Sequence, residues 1–231
     1  MITVPSWVIP GSYLENLSFL KDKPAVQGVE LLFFIYDQEV KALLDAESAE
    51  LEAYTQRFTF TAHLPDALQE AHEELVTRLF PLVRHYVLHP GLEEHRERQA
   101  KIMLSWFERF GPQRFLLENT APGLLEGILP RLPPETPLCM DTGHLLLEGK
   151  RPAVFFKHYR ERIQEIHLHG IDRAASAADK RLPDHRSLAS KAPWFQELVP
   201  ELAEFTGVIN LEVFSWEEVQ SSLTVLGTLP T

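Results

Sequence analysis

The chain has 231 residues, a formal charge of −11, 45% apolar side chains and one cysteine, Cys139. The apolar share supplies a packed core and excludes general disorder. The acidity argues against nucleic-acid partners, which need a cationic surface, and a lone cysteine excludes an internal disulfide and suits a reducing, cytoplasmic setting.

The N-terminal stretch MITVPSWVIPG has no basic segment and is interrupted by Pro5 and Pro10, so it does not read as a signal peptide. The longest apolar run, residues 31–36, is far short of the roughly 20 residues of a membrane span. No membrane contact is expected.

In chain order, short apolar runs predict strands over 3–9, 28–34, 58–63, 85–89, 115–118, 138–141, 164–169 and 208–213. Helical periodicity falls between them, as in 66–79, 92–110, 122–132, 152–160 and 192–205. Gly111 and Pro112 stop one of these helices, and Gly207 follows another. Strand and helix alternating eight times predicts an α/β protein, a single-domain (β/α)8 barrel spanning 1–231. The polar residues His63, His89, Glu118, Asp141 and His167, which end successive strands, follow at intervals of 26, 29, 23 and 26. An eighth of the chain is about 29 residues, the length of one strand–helix unit. The longer gap from His167 to Glu212 predicts an extra polar loop over about 171–191.

Side chains alternate along a strand. Thr59, Thr61 and His63 therefore share one face, as do Glu165, His167 and His169, and Asn210 with Glu212. Carboxyl ends of barrel strands form the active-site face, so these polar sets converge on one cup. Four carboxylates there, Glu118, Asp141, Asp184 and Glu212, are expected to repel one another and to be driven towards protonation by burial. Divalent cations remove that conflict. Imidazole with carboxylate suits zinc first, and also manganese, iron or nickel. His63, His89, Glu118, Asp141, His144, His167, Asp184, His185 and Glu212 exceed what one ion needs, and predict two ions, or three with His144, Asp184 and His185. Two ions activate water and stabilise the leaving oxygen of a phosphoester. One ion flanked by Glu118 and Glu212 instead suits proton transfer next to a carbonyl.

Taken together, these residues resemble the xylose isomerase-like barrel superfamily, from the third strand to the eighth. The quartet Glu118, Asp141, His167 and Glu212 is similar to its single-metal core. His63, His89, His144 and the Asp184–His185 pair resemble the added ligands of the endonuclease IV branch, except that Asp184 and His185 are adjacent where that branch has a residue between them. The stretches WVIPGSYLENLSFL, GVELLFF, MDTGHLLLEG, IHLHGID, DHRSL and GVINLEVF are similar to cobamide-remodelling phosphodiesterases. That resemblance implies hydrolysis of the nucleotide-loop phosphodiester of a cobamide, a small-molecule substrate. Glu118, Glu212 and His169 would serve catalysis, and Arg186 and Trp7 would touch substrate. A sugar phosphate isomerase or epimerase with one metal is the alternative. An abasic-site endonuclease and a non-catalytic corrinoid carrier are further ones. The remaining histidines, His72, His85, His95 and His158, are expected on the surface beside helices, and Cys139 is expected to be a buried thiol.

Overall fold

A computed structural model describes residues 1–172 and 184–228. Eight parallel strands close into a barrel in chain order. They are β1 (Ile2–Pro5), β2 (Gly28–Leu32), β3 (Thr59–His63), β4 (Val83–Leu88), β5 (Phe115–Glu118), β6 (Leu138–Asp141), β7 (Ile163–His167) and β8 (Val208–Asn210). The ring closes where Ile2 pairs with Ile209 and Thr3 with Asn210.

The helices described are α1 (Tyr13–Leu20), α2 (Gln38–Tyr54), α3 (Glu73–Leu79), α4 (Arg96–Phe110), α5 (Leu124–Ile128), α6 (Thr142–Leu147), α7 (Pro152–Tyr159), α8 (Pro193–Glu204) and α9 (Trp216–Gly227). Their ends follow local chemistry. Ser12 and Glu15 cap α1 reciprocally, and Asp37 and Ser215 cap α2 and α9. Gly111, at φ 90°, ends α4 in a conformation that glycine adopts without strain. Pro152 and Pro193 open α7 and α8, where the missing N–H costs nothing.

The main core lies between the strands' outer faces and the helices, with Val29, Leu31, Phe60, Ala62, Tyr86, Phe115 and Leu117 packed against Leu17, Leu44, Leu75, Met103 and Trp106. Inside the barrel the lining is different. Val87, Leu116 and Cys139 form one small apolar patch. The buried polar groups Thr3, Glu30, Thr61, His85, Glu165 and Asn210 occupy the remainder. Asn210 on β8 donates to Glu30 on β2, and His85 on β4 meets Glu165 on β7, contacts that only a shared interior permits. Barrel interiors are usually filled by branched aliphatic residues. Here paired polar groups take that place directly beneath the strand ends.

His85 and His72 correct the sequence expectation. His85 lies within β4 and is buried, because Glu165 needs a partner there. His72 is buried at the start of α3, its ring edge-on to Tyr36. His95 and His158 are exposed as expected.

Candidate active site

Successive strand ends deliver the site. Glu118 and Asp141 are the last residues of β5 and β6, and His63 and His167 of β3 and β7. His89 follows β4 by one residue, while His169 and Glu212 each lie two residues beyond β7 and β8. All but His89 are almost completely buried.

Residues missed by sequence reasoning hold these ends in register. Asn119 accepts from the Asp141 N–H at 2.9 Å and donates to the Asp141 carbonyl at 3.0 Å, tying β5 to β6. The Thr142 hydroxyl accepts from His169 N–H at 3.0 Å and donates to the His169 carbonyl at 2.8 Å, tying α6 to the β7 extension. Asp141 also caps α6, its Oδ1 accepting from His144 N–H at 2.6 Å. Gly143 is required beside it, because a Cβ there would collide with the His169 ring.

Glu118 is the hub. Its Oε2 lies 3.3 Å from His63 Nε2 and 3.2 Å from His89 Nε2. The other nitrogens of these rings are occupied: His63 Nδ1 pairs with the Leu64 carbonyl at 2.9 Å, and His89 Nδ1 with Asp66 at 3.1 Å. His167 Nδ1 lies 3.2 Å from Glu212 Oε2, 3.6 Å from Glu118 Oε1 and 4.0 Å from Asp141 Oδ2. His169 Nε2 lies 3.0 Å from Asp141 Oδ2 and 3.6 Å from Glu212 Oε2. His185 stacks on His169 with ring centroids 4.4 Å apart. It does so at φ 52°, a left-handed conformation uncommon outside glycine.

Among the described residues, four groups have ligand atoms close enough to share an ion: His63, His89 and Glu118; Glu118, Asp141 and His167; His169, His185 and Glu212; and, deeper in the barrel, Glu30, Glu165 and His167. His144 and Asp184 stand outside these groups. His144 Nδ1 is turned to the Asn119 carbonyl at 3.0 Å, and Asp184 Oδ2 lies 4.0 Å from His185 Nε2. Residues 173–183, most of the expected polar loop, lie outside the described residues.

The electrostatics correct the expectation of protonated carboxylates. Burial would raise Glu118 and Glu212, but facing imidazoles outweigh it. His167 and His89 hold Glu118 well below the usual range, and His167 and His185 hold Glu212 low. The histidines shift the other way. Burial would lower them, yet the Glu118 and Asp66 carboxylates push His89 up to about 10, and Asp141 and Glu212 push His169 up to about 9. Imidazolium charge here neutralises carboxylate charge.

These residues fit a divalent cation. Glu212 Oε2 and His167 Nδ1 lie 3.2 Å apart, both buried and without a hydrogen-bond partner, and Glu118 Oε1 lies 3.6 Å from the same nitrogen. Buried ligand atoms left without partners around one point are what cation coordination satisfies.

The mouth of the barrel is apolar on one side. Trp7 is 59% exposed and, with Phe34, Ile35, Val40 and Leu43, lines a cavity of about 410 Å³. Phe34 joins it to the site, its ring 4.7 Å from that of His63. Arg186 bridges to Gly170 beyond β7 and lies 3.6 Å from Glu218 on α9.

The barrel fold recurs in known proteins. A probable 3-DHS dehydratase from Bacillus anthracis superposes with a TM-score of 0.74 at 17% identity, over 99% of both chains. A sugar phosphate isomerase/epimerase from Parabacteroides distasonis gives 0.62 at 13% identity, over 99% of this chain and 96% of that one. An L-ribulose 3-epimerase gives 0.67 at 12% identity, over 100% and 87%. By sequence, the inosose dehydratase of Lacticaseibacillus casei is 33% identical over 90 residues, which is 39% of this chain. The chain spans 28% of the length of the curated relatives it matches. No family model matches it.

These comparisons overturn the expected hydrolysis of a cobamide phosphodiester, and favour the isomerase and epimerase alternative. The physical reason is that a ligand count does not by itself fix the reaction. The number of histidines pointed to phosphoester chemistry, but the same cluster holding one ion suits proton transfer beside a carbonyl.

Proposed function

We propose that this chain is a divalent-metal-dependent enzyme that moves a proton at a carbon next to a carbonyl in a small polyhydroxylated substrate. The reaction is an isomerisation, an epimerisation or a dehydration. The observation that carries this reading is the quartet Glu118, Asp141, His167 and Glu212, brought together from the ends of four consecutive strands, with His167 Nδ1 and Glu212 Oε2 buried 3.2 Å apart and without hydrogen-bond partners. The names of the neighbours agree with it, since sugar isomerisation, 3-epimerisation and dehydration of a hydroxyketone all begin with loss of such a proton.

Glu118, Asp141, His167 and Glu212 would hold the ion, and the imidazole–carboxylate set suits zinc, manganese, iron or nickel. Bound there, it would polarise the substrate carbonyl and balance the charge left by proton loss. The side chains do the remainder. Glu118 and Glu212 both approach His167 Nδ1, and the surrounding imidazoles keep both ionised, so either carboxylate can accept a proton. His169, fixed on Asp141, is placed to hydrogen-bond a substrate oxygen. The His63–His89 pair, aimed at Glu118 Oε2, offers a place for a second ion. Trp7 and Arg186 would contact the part of the substrate outside the cup.

The test is proton NMR in D2O, with the metal-loaded protein and a panel of ketoses, ketose phosphates and inososes. Deuterium entering the carbon beside the carbonyl, and lost in Glu118→Gln and Glu212→Gln, supports the reading. No exchange on any panel member by protein that holds its ion refutes it. Elemental analysis of the same protein, purified without chelator, counts the ions.

A further inference from the structure

A charged residue inside the apolar run GVELLFF has no part in the chemistry above. Glu30, on β2, is completely buried. Its Oε1 lies 3.3 Å from His167 Nε2, on the side of the ring away from the site. Its Oε2 accepts from Asn210 Nδ2 at 2.5 Å, which fixes the carboxylate's orientation. Glu165, the other carboxylate at this depth, is already engaged by His85. Glu30 is thus the carboxylate held ready for the inner nitrogen of His167.

A neutral imidazole carries one N–H and one lone pair. His167 Nδ1 is surrounded by Glu118, Asp141 and Glu212, all acceptors when ionised. A proton on Nδ1 would satisfy those acceptors and block the ring as a ligand. A lone pair on Nδ1 is stable among them only with a cation between. The proton's location therefore decides whether His167 can bind metal, and Glu30 is the group that decides it. We propose that Glu30 is a positioning residue: it accepts the Nε2–H of His167, and so fixes the tautomer and ring orientation that present Nδ1 to the cation. Asn210 completes the chain by holding Glu30. Partners of this kind on metal-binding histidines typically change metal affinity by about 10–100-fold when removed.

The inference rests on the cation site proposed above, and the experiment separates the two. Zinc affinity is measured by chelator competition on wild type, Glu30→Gln and Glu30→Met. The ring tautomer of His167 is read from long-range proton–nitrogen correlation spectra of the zinc-loaded protein, with His167→Gln assigning the signal. Thermal midpoints of the metal-free proteins report folding separately. Expected are an Nε2–H tautomer in wild type, affinity lower by about 10-fold in Glu30→Gln, which keeps an acceptor oxygen, and by about 100-fold in Glu30→Met, which has none. Should Glu30→Met fail to fold, Glu30→Gln and the wild-type tautomer still decide. Unchanged affinity in Glu30→Gln, or an Nδ1–H tautomer in zinc-loaded wild type, overturns the role of Glu30 and leaves the site standing. Loss of one whole equivalent of zinc in Glu30→Gln also overturns it, since Glu30 would then be a ligand itself. Absence of zinc binding by wild type overturns both.

Discussion

Raising the pH of the metal-stripped protein should destabilise it, because imidazoles of the site, His89 and His169 among them, hold protons that the unfolded chain releases. His89 is pushed up to about 10 and His169 to about 9, against 6.5 for an ordinary histidine. A group whose pKa rises on folding contributes stability that is full below its unfolded value and is lost as the pH climbs through its folded value. Between pH 6.5 and 9, the His89 shift corresponds to a loss of about 3 kcal/mol, and the His169 shift to a similar amount. The carboxylates of the cluster are shared, so the two losses do not add in full. A total near 3 kcal/mol is the expectation, which for a chain of this size lowers the melting midpoint by about 6–12 °C. The assay is differential scanning calorimetry after chelator treatment, at constant ionic strength, in steps from pH 6.5 to 9. A midpoint that is flat or rises across that window would refute the argument. With a divalent ion bound, the ligating imidazoles are neutral and protons compete with the ion. The loaded protein should therefore hold its midpoint, or gain, over the same range.

Gly143→Ala should lower metal affinity by displacing the His169 ring, and should cost about 1–3 kcal/mol of stability although alanine is the better helix former; chelator competition and thermal melts check both. His85→Leu should cost about 3–5 kcal/mol in denaturant unfolding, because it leaves Glu165 buried without its partner. Trp7→Ala should leave stability within about 0.5 kcal/mol, since the ring is exposed. For whichever substrate exchanges deuterium, it should raise KM with kcat kept, the mark of binding lost equally from substrate and transition state.

Period and spacing made the barrel legible in the sequence. Strand length, the alternation of faces and the near-constant interval between polar strand ends are local properties, and the structure places all eight strands at or within a few residues of their expected positions. The convergence of His63, Glu118, Asp141, His167 and Glu212 followed as well, because parallel strands of one barrel put their carboxyl ends on one face. Three matters needed the tertiary structure. The partners of His85 lie across the barrel, at Glu165, and a histidine beside a helix reads as surface until that distance is known. The ionisation of the carboxylates depended on which imidazoles face them, and separation in the sequence carries no such information. Glu30 was the subtlest case. An acid in an apolar strand does not name its partners, and only ring closure, which brings β2 close to β7 and β8, shows that they are His167 and Asn210. Backbone chemistry is local and can be read along the chain, whereas charge and hydrogen bonding act through space, and their outcome is decided by what the fold brings within about 4 Å.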